Sequence, residues 1–496
     1  MLRKKIFINT AVNSGGKLLS FALQIFIMTY LIKVLGKDSY GVVVLALALV
    51  ANTNILEAGF GLSVTKYVAE YKARGDWPRL LQTINTNLVI STIMGIVMCS
   101  ILTLINEVFL EKIFTIPSEL VPGAKNMIRA LILLSVVEFW SVSLIRVAEG
   151  LQKFALARSM ELVKWFLRAV FVLIAVYAGY GLAGIGAAYL AAGILSLVVV
   201  YIKVIMQDPE LRLSISLSSK ESFKQLFGFS IWIFLSKAFA FISYKIDTIV
   251  IAIFLPPANL AYYSIAFKVY EILSYGINLI SYAIMPVTSE LQAADNRTKL
   301  RLLFHKSSRY TLMFMFPILA FSFLYVFQVI EFWVGEDFGI SVMLAQMFII
   351  SLFFVALSSS GAVMMIGLNR VKELVVYAGA GSLVNLTVSI VMVKEIGVKG
   401  VLVGTLVGSV IIASGYLYRM LRLFEYPFLL FLKDILGWPL TGAAILGSVL
   451  SALPGNFYIG VSVTLIYMAL SVLLFSDRDD IRAIMNRRDR DIKFSS

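Results

Sequence analysis

The sequence predicts an all-α integral membrane protein of 14 transmembrane helices, two parallel six-helix bundles followed by two extra C-terminal helices. Three observations predict it. Fourteen stretches of roughly twenty or more mainly apolar residues are each long enough to cross a ~30 Å hydrocarbon layer as a helix. Lys and Arg crowd into every second gap between those stretches. Features of the first six stretches also recur in the next six at nearly constant spacing.

Composition agrees. Of 496 residues, 60% are hydrophobic and 15% charged, and the mean hydropathy is +0.90, far from the balance of a water-soluble chain. The net charge of +14 does not point to nucleic acid, because the basic residues sit in short connections beside apolar helices, where orientation in a membrane explains them. One cysteine, Cys99, cannot form an intrachain disulfide. Arg3, Lys4 and Lys5 precede an apolar run that continues to Leu35 without an Ala-x-Ala site, so the expectation is an uncleaved first span.

In chain order the expected spans are Phe7–Leu35, Tyr40–Ser63, Leu80–Ile105, Met127–Ile145, Ser159–Ala178, Leu182–Val200 and Phe227–Leu255. Leu260–Val287, Tyr310–Ile330, Ile340–Leu368, Leu374–Val393, Val398–Leu417, Ile435–Leu453 and Phe457–Phe475 complete the set. Outside them, 30 Lys and Arg fall on the side of the N-terminus and five, Lys37, Lys112, Lys125, Lys394 and Lys399, on the other. The basic side is therefore expected to be cytoplasmic, with both termini inside.

Lys17 matches Lys237 at an offset of 220, Val64-Thr65 matches Val287-Thr288 at 223, Gly150-Leu151-Gln152-Lys153 matches Gly367-Leu368-Asn369-Arg370 at 217, and Gly181 and Gly184 match Gly397 and Gly400 at 216. Six spans per repeat is an even number, so the halves should point the same way. The expected divisions are a bundle over 1–206, a cytoplasmic linker over 207–224, a second bundle over 225–424, two added helices over 425–475 and a charged cytoplasmic tail over 476–496. In the linker, Phe223, Leu226 and Phe227 suggest an amphipathic stretch on the membrane surface.

An ionised side chain in mid-bilayer costs at least ~2.5 to 3.5 kcal/mol on insertion scales. Thirteen fall inside the spans: Lys17, Lys33, Arg129, Lys164, Arg168, Lys237, Lys245 and Lys268 against Glu57, Glu138, Glu161, Asp247 and Glu271. Lys33 and Arg129 lie near span ends, within reach of the interface. Glu161, Lys164 and Arg168 fall on one helix face, as do Lys268, Glu271 and Tyr275. One reading makes Glu161 with Lys164, and Lys268 with Glu271, intrahelical ion pairs that specify packing. The other makes Lys17, Lys237, Lys245, Lys268, Lys164 and Arg168 a cationic lining for a polyanionic ligand such as a diphosphate. Lys17 and Lys237 have no acidic neighbour in sequence and occupy matched places in the two halves. Gly15-Gly16, just before Lys17, is a candidate hinge or a close helix contact.

The sole histidine, His305, is expected in a cytoplasmic connection between spans, so no His cluster for a metal and no His base is expected within a span. The sequence carries no Walker-type phosphate loop, and the longest outer connection, residues 106–126, is too small for an external catalytic domain. No enzyme is expected.

The chain resembles the polysaccharide flippases of the Wzx type, which export O-antigen and exopolysaccharide units, within the multidrug, oligosaccharidyl-lipid and polysaccharide exporter superfamily. The resemblance rests on Leu35-Gly36-Lys37-Asp38-Ser39-Tyr40-Gly41, Glu57-Ala58-Gly59-Phe60-Gly61, Glu149-Gly150-Leu151-Gln152-Lys153, Ile246-Asp247, Tyr262-Tyr263-Ser264, Met285-Pro286 and Gly367-Leu368-Asn369-Arg370. It runs through essentially the whole chain. Glu57 departs from the pattern, which has Asp there.

The resemblance implies a monomer of two six-helix bundles around a cationic cavity. Such a protein would turn a polyprenyl-diphosphate-linked oligosaccharide from the inner to the outer leaflet of the cytoplasmic membrane by alternating access, with polysaccharide polymerase machinery as a candidate partner. No cofactor is expected beyond a coupling sodium ion or proton, for which Asp247, Glu138, Glu57 and Glu271 are the candidates. The alternatives are a cation or drug antiporter of the same superfamily, which should need excess acid in its cavity, and a membrane-embedded polysaccharide polymerase, which should show a large polar loop.

Overall fold

Apolar runs of this length satisfy their backbone in hydrocarbon by forming helices, and helices are what the chain forms. The structure, a computed structural model, describes residues 2–51, 53–228, 246–452 and 456–475, of which 2–18, 51, 53–60, 215 and 472–475 are described as backbone only. Among the described residues there is no β-strand. Lys237, Lys245 and the charged tail lie outside the described residues, as do the side chains of Lys17 and Glu57.

The longer helices are α1 (Leu2–Ala51), α2 (Thr53–Arg74), α3 (Trp77–Leu104), α4 (Val121–Gly150), α5 (Phe154–Tyr177), α6 (Gly181–Gln207), α7 (Ile246–Phe254) and α8 (Ala258–Tyr282). They continue with α9 (Met285–Ala293), α10 (Arg297–Val334), α11 (Gly339–Gly367), α12 (Val371–Ile396), α13 (Val398–Leu423), α14 (Trp438–Ala452) and α15 (Phe457–Phe475). Among the described residues, ten helices are long and apolar enough to cross a membrane.

The other four expected spans have separate reasons for falling outside that set. Helix α5 carries Glu161, Lys164 and Arg168 within its 24 residues. The second and seventh spans are interrupted by residues outside the described set. The last is a shorter apolar helix. Gly36, in the turn expected after the first span, is a break inside α1, with φ 78° and ψ 173°.

Backbone contacts divide the chain into two units. The first holds residues to Ser264 with Leu386–Gly404; the second holds Ile265–Asn385 with Thr405 onward. In the first unit α4 is central, packing on α2, α3 and α6, while α5 lies against α6 and α1. Its core at the basic end joins Val68, Leu80, Ile84, Leu144 and Val147, each no more than 1% exposed. The segment expected as a linker is laced to this unit. The Asn85 amide donates to the Arg212 carbonyl (2.8 Å) and accepts from the Ser214 backbone N–H (2.7 Å), and the Ser219 N–H donates to Thr86 Oγ1 (2.9 Å). In the second unit α10 is the spine, packing on α11, α14 and α15. Tyr325 of α10, with Leu446 and Leu450 of α14 and Phe457 of α15, forms the contact that seats the two added helices.

Local structures recur in the two units at the spacing of the sequence repeat. Asp76 caps α3 by accepting from the Arg79 N–H (3.1 Å), and Asn296, 220 positions later, caps α10 by accepting from the Lys299 N–H (3.0 Å). Gln152 (φ 65°) and Asn369 (φ 58°), 217 apart, hold the same left-handed position after α4 and α11. A Cβ on the preceding Gly150 would lie 2.8 Å from Val68 Cβ, and one on Gly367 would lie 2.8 Å from Thr288 Cβ. A hydroxyl pair also crosses between helices in each unit, Ser91 to Ser143 (2.8 Å) and Thr311 to Ser360 (3.2 Å). Such small-residue and hydroxyl contacts are how helices associate where lipid removes the hydrophobic incentive.

Candidate functional site: a buried charge cluster in the first unit

The turn at Gly150–Lys153 reverses the chain from α4 into α5, and both helices pack on α6. The Leu151 N–H donates to the Val147 carbonyl and the Lys153 N–H to the Ala148 carbonyl, both at 2.9 Å, and only glycine at 150 permits the approach of α2. Across such a reversal, residues equally far from the turn lie at the same level. At 1.5 Å per residue, Glu138 is ~18 Å along α4 from Gly150, and Lys164 and Arg168 are ~15 and ~21 Å along α5 from Phe154. The Glu138 carboxylate therefore meets both cations.

Lys164 Nζ donates to Glu138 Oε2 at 2.9 Å, and Arg168 Nη2 donates to Oε1 of the same carboxylate. All three side chains are 13% exposed. The Arg168 guanidinium also lies 5.3 Å from the Trp165 ring centroid and 5.6 Å from that of Tyr189 on α6, contacts that favour a weakly hydrated cation. Its Nε is buried without a hydrogen-bond partner. One carboxylate between two cations leaves the cluster with an excess positive charge, held in low-dielectric surroundings where it attracts an anion strongly.

The intrahelical pair expected between Glu161 and Lys164 is not what forms. Glu161 accepts from Arg158 at 2.5 Å, nearer the helix start, which leaves Lys164 to reach across to α4. Lys268 and Glu271 do pair within α8, at 2.5 Å, with Lys268 13% exposed. Asp247 on α7 is buried and accepts from the Tyr263 hydroxyl at 3.3 Å. Gly15 and Gly16 lie within the helical backbone of α1, whose non-helical φ/ψ is at Gly36. Lys33 is exposed, and Arg129 holds Glu107 through two 2.8 Å bonds. Lys17, Lys237, Lys245 and Glu57 have no described side chain. Among the described residues no group of three or more His, Cys, Asp or Glu is placed to hold a metal ion.

Sequence reasoning missed Trp165 and Tyr189 as the platform for Arg168, and it missed Glu138 as the partner of Lys164. The signal for the latter was present: 138 and the pair 164/168 are nearly equidistant from the Gly150–Lys153 turn.

The sequence profile of the family described as polysaccharide biosynthesis protein matches residues 6–292. Among curated proteins none matches the chain. Among solved structures, lipid II flippase MurJ in an inward closed conformation is similar at a TM-score of 0.75 and 17% identity, covering 94% of this chain and 99% of that one. A multidrug resistance MATE family transporter of the MOP superfamily, inward-facing, is similar at a TM-score of 0.71 and 17% identity over 82% of this chain and 96% of that one. A MOP superfamily transporter from Pyrococcus furiosus, described as having a binding pocket of reverse polarity, is similar at 0.58 and 18% identity over 85% and 94%. At these identities the likeness is one of fold.

Proposed function

Because the chain belongs to the polysaccharide biosynthesis protein family, we propose that it is a flippase. Its cargo would be a polyprenyl-diphosphate-linked oligosaccharide, turned from the inner to the outer leaflet of the cytoplasmic membrane by alternating access, with the basic side and both termini cytoplasmic. The observation that carries this reading is the Glu138–Lys164–Arg168 cluster, in which cations outnumber the carboxylate at a level far from either end of α4 or α5. A cationic interior suits a diphosphate, which Lys binds as a point charge and Arg as a fork.

In this reading Lys164 and Arg168 act with Lys17, Lys237, Lys245 and Lys268 on the diphosphate. Asp247, Glu138, Glu57 and Glu271 are the groups through which sodium ions or protons would couple. Two negative charges leaving a cell with a negative interior gain up to about 4.6 kcal/mol per 100 mV when uncompensated. The fold is shared with MurJ, named a lipid II flippase, which supports a lipid-linked cargo. It is shared also with MATE transporters, so the cargo is decided by chemistry at the site.

Reconstitution into liposomes with a fluorescent polyprenyl-diphosphate oligosaccharide tests this. Translocation without chain growth is expected, and it is expected to be lost in the Lys17→Ala/Lys237→Ala double variant while expression persists. Drug efflux without lipid movement would overturn the flippase in favour of an antiporter, and chain growth would favour a polymerase.

A further inference from the structure

At the basic end of the second unit, the apolar helix α13 closes at Leu423 and the next segment long and apolar enough to cross a membrane opens at Phe428. Between them lies a cavity of about 700 Å³. Its walls are mainly apolar, from Phe354 and Leu357 of α11 through Ala413 and Leu417 of α13 to Phe431 and Leu436 at the start of the next span. From Ala413 to Arg422 the slot follows nine residues of α13, ~13 Å of helix. Its two charged groups sit at one end, Arg422 in the last turn of α13 and Glu425 just beyond it, while Ser414 and Tyr418 lie along the wall.

The rim is built to meet lipid. Phe428 is 56% exposed and Leu429 79% exposed at the first turn of a span. The wall formed by Phe431–Gly437 is a π-helical turn, a distortion frequent at functional sites. Glu425 holds a left-handed conformation, φ 49°, which turns the chain sharply at the mouth, and behind it the Tyr426 hydroxyl is fixed by His305 Nδ1 at 2.7 Å.

A mainly apolar slot that follows α13 for about 13 Å, with an Arg and a Glu at one end, has the complementarity of a single lipid molecule. The slot takes an acyl chain, Arg422 a phosphate, and Glu425 a headgroup that donates hydrogen bonds. We propose that this slot is a binding site for phosphatidylethanolamine from the leaflet on the basic side. The bound lipid wedges the segment that opens at Phe428 against α11 and α13. The site requires only that the chain spans a membrane, so it stands or falls separately from the transported cargo.

Native mass spectrometry of the full-length protein in mild detergent tests it with dioleoyl phosphatidylethanolamine against dioleoyl phosphatidylcholine, in which three N-methyl groups replace the three N–H donors and the positive charge is kept. Retention of the ethanolamine lipid is expected to exceed that of the choline lipid about tenfold, the worth of one charge-assisted hydrogen bond. Glu425→Gln, at an exposed position, should erase the preference. Leu417→Trp, which fills the slot, should remove retention of both lipids, and the thermal stabilisation that added phosphatidylethanolamine gives the wild type should vanish in this variant. Equal retention of the two lipids, tighter retention of phosphatidylglycerol, or displacement by undecaprenyl phosphate at equal concentration would each overturn the assignment.

Discussion

Replacing Glu138 by Gln removes the carboxylate that Lys164 and Arg168 share and keeps the side-chain volume. Both cations are 13% exposed, so neither regains full hydration when the carboxylate goes. Breaking a buried ion pair by deleting one partner typically costs ~3–5 kcal/mol, because an uncompensated charge stays behind. Here two cations four residues apart on one helix also come to face each other unscreened, so the upper part of that range is expected. The assay is denaturant-induced unfolding in detergent micelles, followed by tryptophan fluorescence.

The companion variant, Glu138→Gln with Lys164→Met and Arg168→Met, removes the whole cluster. It is expected to return to within ~1 kcal/mol of the wild type, since replacing a buried ionic group by apolar side chains of similar size is often neutral. The stable triple variant is nonetheless expected to fail in translocation. Two results would refute the reasoning: a Glu138→Gln loss below about 1 kcal/mol, or a triple variant as unstable as the single one.

Other expectations follow from the repeated turns. Gly150→Ala and Gly367→Ala each force a Cβ to 2.8 Å from a neighbouring Cβ and should each lower stability by ~1–3 kcal/mol, read as matching falls in thermal midpoint. Gln152→Gly relieves a left-handed residue at φ 65° and should raise stability by ~0.5–1 kcal/mol, whereas Asn369→Gly should be nearly neutral because Asn tolerates that conformation; calorimetry of the pair separates them. Asp76→Ala and Asn296→Ala, losing equivalent caps, should each cost ~1 kcal/mol in the same measurement. Tyr325→Ala empties the contact that holds α14 and α15 on α10; a loss of ~3–5 kcal/mol, with new protease cleavage between residues 425 and 456, is the expected outcome.

Hydrophobic length and charge asymmetry depend only on local composition, so the membrane class, the all-helical fold and the internal repeat were legible from residues alone. The repeat was legible even at its finest grain, because Gly150 and Gly367 are demanded by close backbone approach and leave a mark in sequence. Pairing among buried charges was not legible in the same way. Helical periodicity puts Glu161 and Lys164 on one face, but a side chain at the start of α5 and another twelve residues before a turn compete for the same partners, and only the angle and level at which α4 and α5 meet decide who wins.

The sequence by itself placed charges inside the spans, and among the described residues Glu138, Lys164, Arg168, Lys268 and Asp247 are the ones largely buried, whereas Lys33 and Arg129 are exposed. Tertiary structure alone decided that Glu138, rather than Glu161, neutralises Lys164, that Trp165 and Tyr189 cradle Arg168, and that the stretch after α6 is tied to the first unit through Asn85 and Thr86. The physical reason is that hydropathy is a property of each residue along the chain, while an ion pair depends on the distance between two of them after the helices have packed.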